Sequence, residues 1–323
     1  MFEPMIAALK LQKRRIVFTE GTDPRILEAA SRLQREEILT PILLGNEDEI
    51  NAAAKACNWP VDEIEMIDPL NYDGLDDMVL KMTELRKGKM DEAACREALK
   101  KANYFGTMLV QMGKADCLLG GATYSTADTV RPALQLIKTR PGSKIVSSCF
   151  ILSRKTEGGN EMYAMGDCAI NLDPNDEELA EIACETARTA KRFTIDPKVA
   201  LLSYSTLGSG KGESVDKVRM AAEKLKTMNL DFPADGELQF DAAFSPVVAK
   251  TKAPESAVAG KANVFIFPDI NAGNIGYKIA QRLGGFEAFG PILQGLNAPI
   301  NDLSRGCNAD EVYKMSIITA ALI

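Results

Sequence analysis

Strand-like and helix-like segments alternate along the first half of this chain, and this alternation constrains the fold more than any other feature of the sequence. In order, the segments are RIVFTEG, DPRILEAASRLQREE, TPILLGN and EDEINAAAKACN, and DCLLGGATYSTADTVRPALQLIKT repeats the plan. Asp23 and Pro24 are residues typical of the cap and the first position of a helix. Apolar runs that alternate with helical periodicity predict parallel strands joined by crossover helices. The sequence therefore predicts an α/β fold.

The chain is longer than one compact domain usually is, and its 323 residues are expected to form two domains. The pattern changes after TRPGSK, residues 139–144, where VSSCFILSR and EMYAMGDCAI flank KTEGGN as the strands of a hairpin would. We therefore place a hinge at PGS, after which strand-like and helical segments alternate again. The last helix, 310–322, is expected to return to the first domain, which would put residues 301–312 at the crossing between domains.

Composition is that of a globular protein that does not span a membrane. Hydrophobic residues make up 46% of the chain and charged residues 26%, and no apolar run approaches the ~18 residues of a membrane-spanning helix. The N-terminal stretch MFEPMIAALKLQKRR lacks the order of a secretory signal. Seven cysteines form no CxxC pair and lie mostly in apolar stretches, which favours buried, reduced thiols. These features predict a cytoplasmic protein.

The net charge and the absence of histidine exclude several classes of function. A net charge of −7 argues against broad nucleic-acid binding, whereas an anionic small molecule is compatible with it if arginines are gathered locally. A chain without histidine cannot carry a Ser-His-Asp triad. Because the cysteines are not clustered either, we predict no metal site.

The segment NDLSRGCNADEV, residues 301–312, gathers a serine, an arginine, a cysteine and two acids. No histidine is present to activate Cys307, which is therefore expected to pack, and Ser304 lacks such a base as well. Asn308 and Glu311 have the spacing of a helix capping box, so a structural role is available to Glu311.

Polar residues also follow the apolar run DCLLG, where ligands bind in open α/β sheets. GATYSTADTVRP places Ser125, Thr126, Thr129 and Arg131 at the carboxyl end of this presumed strand. The alternative is that Ser125 and Asp128 only cap the following helix while Arg131 is solvated.

Other glycine-containing segments carry less information. Three segments are predicted to be loops that contribute to a cleft: SPVVAKTKAPES, PDINAGNIGY and GPILQGLNAPIND. LGSGKGES fits neither a Walker loop, because Gly212 follows Lys211, nor a dinucleotide fingerprint, because Glu213 stands where glycine is needed. We predict a plain turn there.

Three long segments of the chain together resemble the phosphate acetyltransferase (phosphotransacetylase) family. They are GATYSTADTVRPALQLIKT, FPDINAGNIGYKIAQRL and GPILQGLNAPINDLSRGC. The resemblance extends from EGTDPRILEA to the final helix. It implies two α/β/α domains with a cleft between them, a fold similar to the isocitrate and isopropylmalate dehydrogenases. The first domain would comprise residues 1–143 and 304–323, and the second domain residues 144–303.

The same resemblance implies roles for individual residues. Ser304 and Arg305 match the catalytic pair of the family. Arg86 and Arg131 match arginines that bind coenzyme A and phosphate, and Arg25 matches a further substrate-binding arginine. For Arg86 the alternative is a basic last turn of a helix capped by Gly88.

The general base of the family falls at Glu311, and because Asp310 precedes it, the resemblance leaves open which acid acts. A carboxylate whose pKa is raised by partial burial could deprotonate a thiol near neutral pH. Arginines would hold phosphoryl oxygens with paired N–H donors, and Ser304 would donate a hydrogen bond.

The activity implied is reversible acetyl transfer between acetyl phosphate and coenzyme A, giving acetyl-CoA and inorganic phosphate, by direct attack of the thiol in a ternary complex. Coenzyme A would be a substrate, no cofactor would be tightly bound, and the protein would be a homodimer. Two alternatives remain at this point: a phosphate butyryltransferase, and a non-catalytic module that senses acetyl-CoA.

Overall fold

A computed structural model describes residues 2–323, which form two compact units. One unit contains the residues up to Gly142 together with Leu296–Ile323, and the other contains Ser143–Gly295. The chain thus returns to the first unit at Leu296 and not at Ser304, because a short strand at residues 300–302 belongs to the first sheet.

The elements before the hinge alternate as the sequence predicts. The strands are β1 (Arg15–Phe18), β2 (Thr40–Leu44), β3 (Glu65–Ile67) and β4 (Cys117–Gly120). The helices are α1 (Phe2–Gln12), α2 (Pro24–Arg35), α3 (Glu47–Cys57), α4 (Leu75–Leu85), α5 (Glu92–Leu99), α6 (Ala102–Gln111) and α7 (Thr126–Pro132), which a π-helical turn continues through Ala133–Ile137. The Asp23 side chain caps α2, and Pro24 is its first residue, as predicted.

The second unit opens with the predicted hairpin and then resumes the α/β pattern. Its strands are β5 (Ser147–Thr156), β6 (Gly159–Gly166), β7 (Val199–Leu202), β8 (Ala234–Leu238), β9 (Val264–Ile266) and β10 (Glu287–Gln294). Its helices are α8 (Asp176–Arg192), α9 (Glu213–Thr227), α10 (Phe240–Phe244), α11 (Pro246–Lys252) and α12 (Ile270–Arg282). Strand β11 (Ile300–Asp302) and helix α13 (Ala309–Ala321) then complete the first unit.

Two of the predicted loops prove to be helical. SPVVAKTKAPES contains α11, which begins at Pro246, a residue that suits the first position of a helix. NAGN lies in the first turns of α12, because Asp269 accepts a hydrogen bond from the N–H of Ala272 at 3.0 Å and so caps the helix earlier than predicted.

The first sheet has the order β11-β4-β1-β2-β3, and every neighbouring pair is parallel. Its register aligns Leu119 of β4 with Phe18 on one side and with Asn301 on the other. The chain therefore leaves β1, β4 and β11 at one level of the same edge, and the loops that follow these strands lie side by side.

Helices cover both faces of this sheet. Val17, Ile42 and Leu118 are buried in a cluster with residues of α4, α5, α6 and the π-helical turn. On the other face α2 contacts β2 and α13 contacts β4. The three layers confirm the predicted α/β/α architecture for this unit.

The second sheet, of order β10-β5-β6-β9-β7-β8, is mixed: β5 pairs antiparallel with both β10 and β6, and the remaining pairs are parallel. None of the helices within residues 2–323 combines the length and apolar composition that a membrane span requires. All seven cysteines are free thiols, and five of them are buried, which confirms the prediction for those five.

Candidate active site

Three loops follow β1, β4 and β11 at the carboxyl edge of the first sheet. These loops, together with the helices α2, α7 and α13 that follow them, carry all of the predicted site residues except Arg86. In the third loop the carbonyl oxygen of Ser304 accepts a hydrogen bond from the N–H of Cys307 at 2.9 Å. This hydrogen bond closes a turn over residues 304–307, called here the 304–307 turn. The side chains of Ser304 and Arg305 are exposed on it.

Arg25, in the first turn of α2, joins all three loops. Its Nε and Nη2 donate to the carboxylate of Asp23 at 2.9 and 2.7 Å. Its Nη1 donates to the carbonyl oxygens of Arg305 at 2.9 Å and Cys307 at 3.1 Å. Nη2 also donates to the carbonyl oxygen of Ala122 at 2.9 Å. A guanidinium has five N–H donors, so every N–H of Arg25 has a partner inside the protein.

Glu20 follows β1 and holds the loop after β4. Its carboxylate accepts hydrogen bonds from the N–H groups of Gly121 and Thr123, both at 3.1 Å, and from the hydroxyl of Thr19 at 2.7 Å. Burial raises the pKa of Glu20 and outweighs these hydrogen bonds, which lower it. Sequence reasoning did not select Glu20, although its position directly after a strand of a parallel sheet was a usable signal.

Asp302, the last residue of β11, is 1% exposed and holds helix α7. The hydroxyls of Thr126 and Thr129 donate to its two carboxylate oxygens at 2.6 and 2.5 Å. Burial raises the pKa of Asp302 to about 6 despite these hydrogen bonds. Gly121 makes room for the carboxylate: its φ is +98°, and a Cβ there would overlap Oδ1 of Asp302.

The two hydroxyls predicted to bind substrate therefore have partners within the protein. That of Thr126 donates to Asp302, and that of Ser125 donates to the carboxylate of Asp128 at 2.7 Å. Ser125 occupies the N-cap position of α7 without accepting a backbone N–H, so the capping box considered for this helix is incomplete.

Cys307 is 7% exposed, and burial raises the pKa of its thiol to about 11, more than the nearby charge of Arg25 lowers it. A thiol with this pKa is protonated near neutral pH and is a poor nucleophile. The structure thus confirms that Cys307 packs.

The two candidate bases have different environments. Asp310 pairs with Arg32 at 3.3 Å and with Lys314 at 2.9 Å. Burial raises the pKa of Asp310, but the hydrogen bonds and charges of Lys314 and Arg32 together lower it below its usual value. Glu311 and Asn308 form the predicted capping box, with reciprocal hydrogen bonds of 2.9 Å.

The remaining predicted arginines, Arg86, Arg131 and Arg305, have surroundings different from those of Arg25. Helix α4 ends at Leu85 and Arg86 is its C-cap residue, so Arg86 is not part of a basic last turn, and Gly88, with φ +77°, lies two residues beyond the cap. The Nε of Arg86 is buried without a hydrogen bond to residues 2–323. Within residues 2–323, the side chains of Arg86, Arg131 and Arg305 donate no hydrogen bond and form no ion pair. The structure brings Arg25 and the 304–307 turn together, but no hydrogen bond within the same residues joins Arg86 to them.

A parallel α/β sheet whose carboxyl edge gathers arginines and hydroxyls, in a chain without histidine, defines an α/β protein suited to binding anionic ligands. Comparisons with known proteins specify the class further. The family model described as "Phosphate acetyl/butaryl transferase" matches residues 1–320. A phosphate acetyltransferase of Bacillus subtilis is 56% identical over 307 residues, which cover 95% of this chain and 94% of the relative.

Solved structures agree with these matches. A phosphotransacetylase from Streptococcus pyogenes superposes with a TM-score of 0.96 at 53% identity, covering 99% of this chain and 97% of that one. The chain belongs to the phosphate acetyl/butaryl transferase family. A Salmonella typhimurium structure named for 4-hydroxythreonine-4-phosphate dehydrogenase, at 12% identity and a TM-score of 0.53, covers 96% of this chain and 97% of its own, and it bears on the fold alone.

Proposed function

We propose that this chain catalyses reversible transfer of an acetyl group between acetyl phosphate and coenzyme A. The observation that supports this most directly is the 304–307 turn, whose backbone Arg25 holds in place while the Ser304 hydroxyl and the Arg305 guanidinium remain exposed. Within residues 2–323 the Ser304 hydroxyl oxygen accepts a hydrogen bond from the N–H of Gly306, at 3.3 Å, and donates none, so its own proton is available to a substrate.

In the forward direction a carboxylate removes the proton of the coenzyme A thiol. The thiolate sulfur then attacks the carbonyl carbon of acetyl phosphate, and a C–S bond forms. As the carbonyl re-forms, the bond between that carbon and the bridging oxygen breaks, and phosphate leaves with the electron pair. Because acetyl phosphate is already an activated donor, no acyl-enzyme is required.

Arginines without protein partners suit the phosphate in this reaction. Arg305, Arg86 and Arg131 each offer a planar fork of donors that matches phosphoryl oxygens, and none is neutralised by an ion pair within residues 2–323. Arg305 is adjacent to Ser304 and is assigned to the leaving phosphate. Ser304 is assigned to the oxyanion that develops on the acetyl carbonyl.

Of the two acids, we assign the base to Glu311. The carboxylate of Asp310 is paired with two cations, which keeps its pKa low and makes it a weak proton acceptor. Glu311 uses Oε2 for its cap, and no protein group within residues 2–323 donates to its Oε1.

The test is thioester formation from acetyl phosphate and coenzyme A, followed by absorbance, for wild type and four variants. Ser304→Ala and Arg305→Gln are expected to turn over about 100-fold or more slowly than wild type. Glu311→Gln is expected to be inactive and Asp310→Asn active. Glutamine keeps the capping box, so Glu311→Gln removes the base without removing the cap.

Several outcomes would refute the proposal. An acetylated Ser304 or Cys307 together with ping-pong kinetics would replace direct transfer with a covalent mechanism. Faster turnover of butyryl phosphate would make the chain a butyryltransferase. Turnover no greater than background would favour the sensing module. If Asp310→Asn is inactive and Glu311→Gln has normal activity, Glu311 only caps α13 and is not the general base.

We further propose a cytoplasmic homodimer without a tightly bound cofactor, in which coenzyme A acts only as a substrate. Seven free thiols suit a reducing compartment. Light scattering of the purified protein measures the oligomeric state, and mass spectrometry of the protein as isolated tests for a retained cofactor.

A further inference from the structure

Arg25 differs from the other arginines of the site because all five N–H groups of its guanidinium already donate hydrogen bonds to protein oxygens. Its Nη1 bridges the carbonyl oxygens of Arg305 and Cys307, on either side of Gly306, and its Nη2 reaches the carbonyl of Ala122. The guanidinium therefore fixes the backbone of the 304–307 turn against the loop after β4. A substrate could reach an N–H of Arg25 only by displacing one of these acceptors.

The charge around Arg25 also disfavours an anionic ligand. Its positive charge is paired with Asp23, whose side chain is 11% exposed, and the carboxylate of Glu20 is close enough to raise the pKa of Arg25 further. An anion at Arg25 would meet two negative side chains as well as one positive side chain, and like charges at close range repel. Arg305 has no such paired acid within residues 2–323.

We propose that Arg25 is a positioning residue, which holds the 304–307 turn in place for the proposed acyl transfer and does not bind acetyl phosphate or coenzyme A. This inference rests on the proposed function of Ser304 and Arg305. Only arginine can satisfy the set of acceptors found here, because lysine has three donors and no planar fork. Asp23 orients the guanidinium through two of its five N–H groups.

Steady-state kinetics separates positioning from substrate binding. Arg25→Lys keeps the charge but loses the fork, and it is expected to slow turnover by about 100-fold, the loss that a misplacement on the order of 1 Å produces, with little change in KM. Arg35→Lys is the matched control, since Arg35 lies on the same helix, is exposed and has no partner within residues 2–323. It is expected to leave both constants unchanged. A raised KM with normal kcat in Arg25→Lys would overturn the proposal.

Asp23→Asn gives a second test that does not touch Arg25 itself. Asparagine caps a helix as well as aspartate does, so α2 is expected to remain folded. If Asp23 orients a positioning residue, kcat falls while KM for acetyl phosphate stays the same. If Arg25 binds the phosphate, removing the competing carboxylate lowers that KM, and this result would refute the proposed role.

Hydrogen exchange measured by mass spectrometry tests the same idea without turnover. Amides of residues 303–308 are expected to exchange faster in Arg25→Lys than in wild type, and at the wild-type rate in Arg35→Lys. Equal exchange in all three proteins would show that Arg25 does not hold the turn. If wild type makes no acetyl-CoA, the proposed function fails, but the exchange experiment still decides the structural part of the inference.

Discussion

Replacing the buried carboxylate of Asp302 by an amide is expected to change how stability depends on pH. Burial raises the pKa of Asp302 from 3.8 to about 6, so the folded protein favours the protonated acid. The associated stability is fully present below about pH 4, and it is lost as the pH rises through about 6. At roughly 1.4 kcal/mol for each pH unit between the two pKa values, the loss is about 3 kcal/mol at neutral pH.

Asp302→Asn removes this loss because its side chain does not ionise. The amide oxygen can still accept from one of the two threonine hydroxyls, and the other hydroxyl can turn to accept from the amide N–H. Thermal unfolding of the two proteins between about pH 4 and pH 7 is the assay. In a unit of this size each kcal/mol shifts Tm by roughly 2–4 °C, so the Tm of the variant should rise relative to wild type by about 6–12 °C across this range.

Asp310→Asn is the control, because the pKa of Asp310 is lowered by Lys314 and Arg32 in spite of partial burial. The stability that Asp310 contributes is present above its unfolded pKa and lost as the pH falls through its lower folded pKa. This variant should be less stable than wild type at neutral pH and equal to it in acid. If the Tm of Asp302→Asn instead runs parallel to that of wild type between about pH 4 and pH 7, Asp302 does not titrate as a buried acid, and the reasoning fails.

Three further predictions concern the same edge of the sheet. Gly121→Ala should lower Tm more than Gly142→Ala does. Both glycines have positive φ, but of the two only Gly121 has the Asp302 carboxylate where a Cβ would lie. Equal decreases in the Tm of the two variants would exclude this overlap as a cause. Cys307→Ala should keep most of its turnover, because a thiol with a pKa of about 11 is protonated, and turnover slowed by about 100-fold or more would contradict this. Arg131→Gln should raise KM for coenzyme A or acetyl phosphate by about 10-fold with a smaller effect on kcat, and unchanged KM values in steady-state kinetics would remove Arg131 from the site.

The sequence predicted the starts of helices well where the residues that determine them lie within one turn of the helix. Asp23 with Pro24, and Asn308 with Glu311, start helices where the sequence places them, because a cap depends on residues within one turn. Strand β11 was predicted as part of a loop in the second domain. It has only three residues, and its place in the sheet depends on pairing with β4, about 180 residues earlier in the chain.

The resemblance supplied the names of most site residues, but the structure was needed to find their partners. The acceptors of Arg25 are backbone carbonyls, and those of Arg305 and Cys307 are 280 and 282 residues away, so no spacing in the sequence indicates them. Asp302 was missed because NAPIND reads as a polar turn. Its carboxylate accepts hydrogen bonds from Thr126 and Thr129, which the sequence places where a ligand would bind and which lie 176 and 173 residues earlier in the chain.

The position of β11 in the first sheet has a consequence for synthesis of the protein. A ribosome makes β1 to β4 first, and until residues 300–302 have emerged, β4 is an edge strand with unpaired backbone groups along one side. The nascent chain must therefore carry an open parallel edge while about 180 further residues are translated, including the whole second unit. Such an edge is a template for pairing with other chains, and the final segment both closes it and delivers Ser304 and Arg305 to the site.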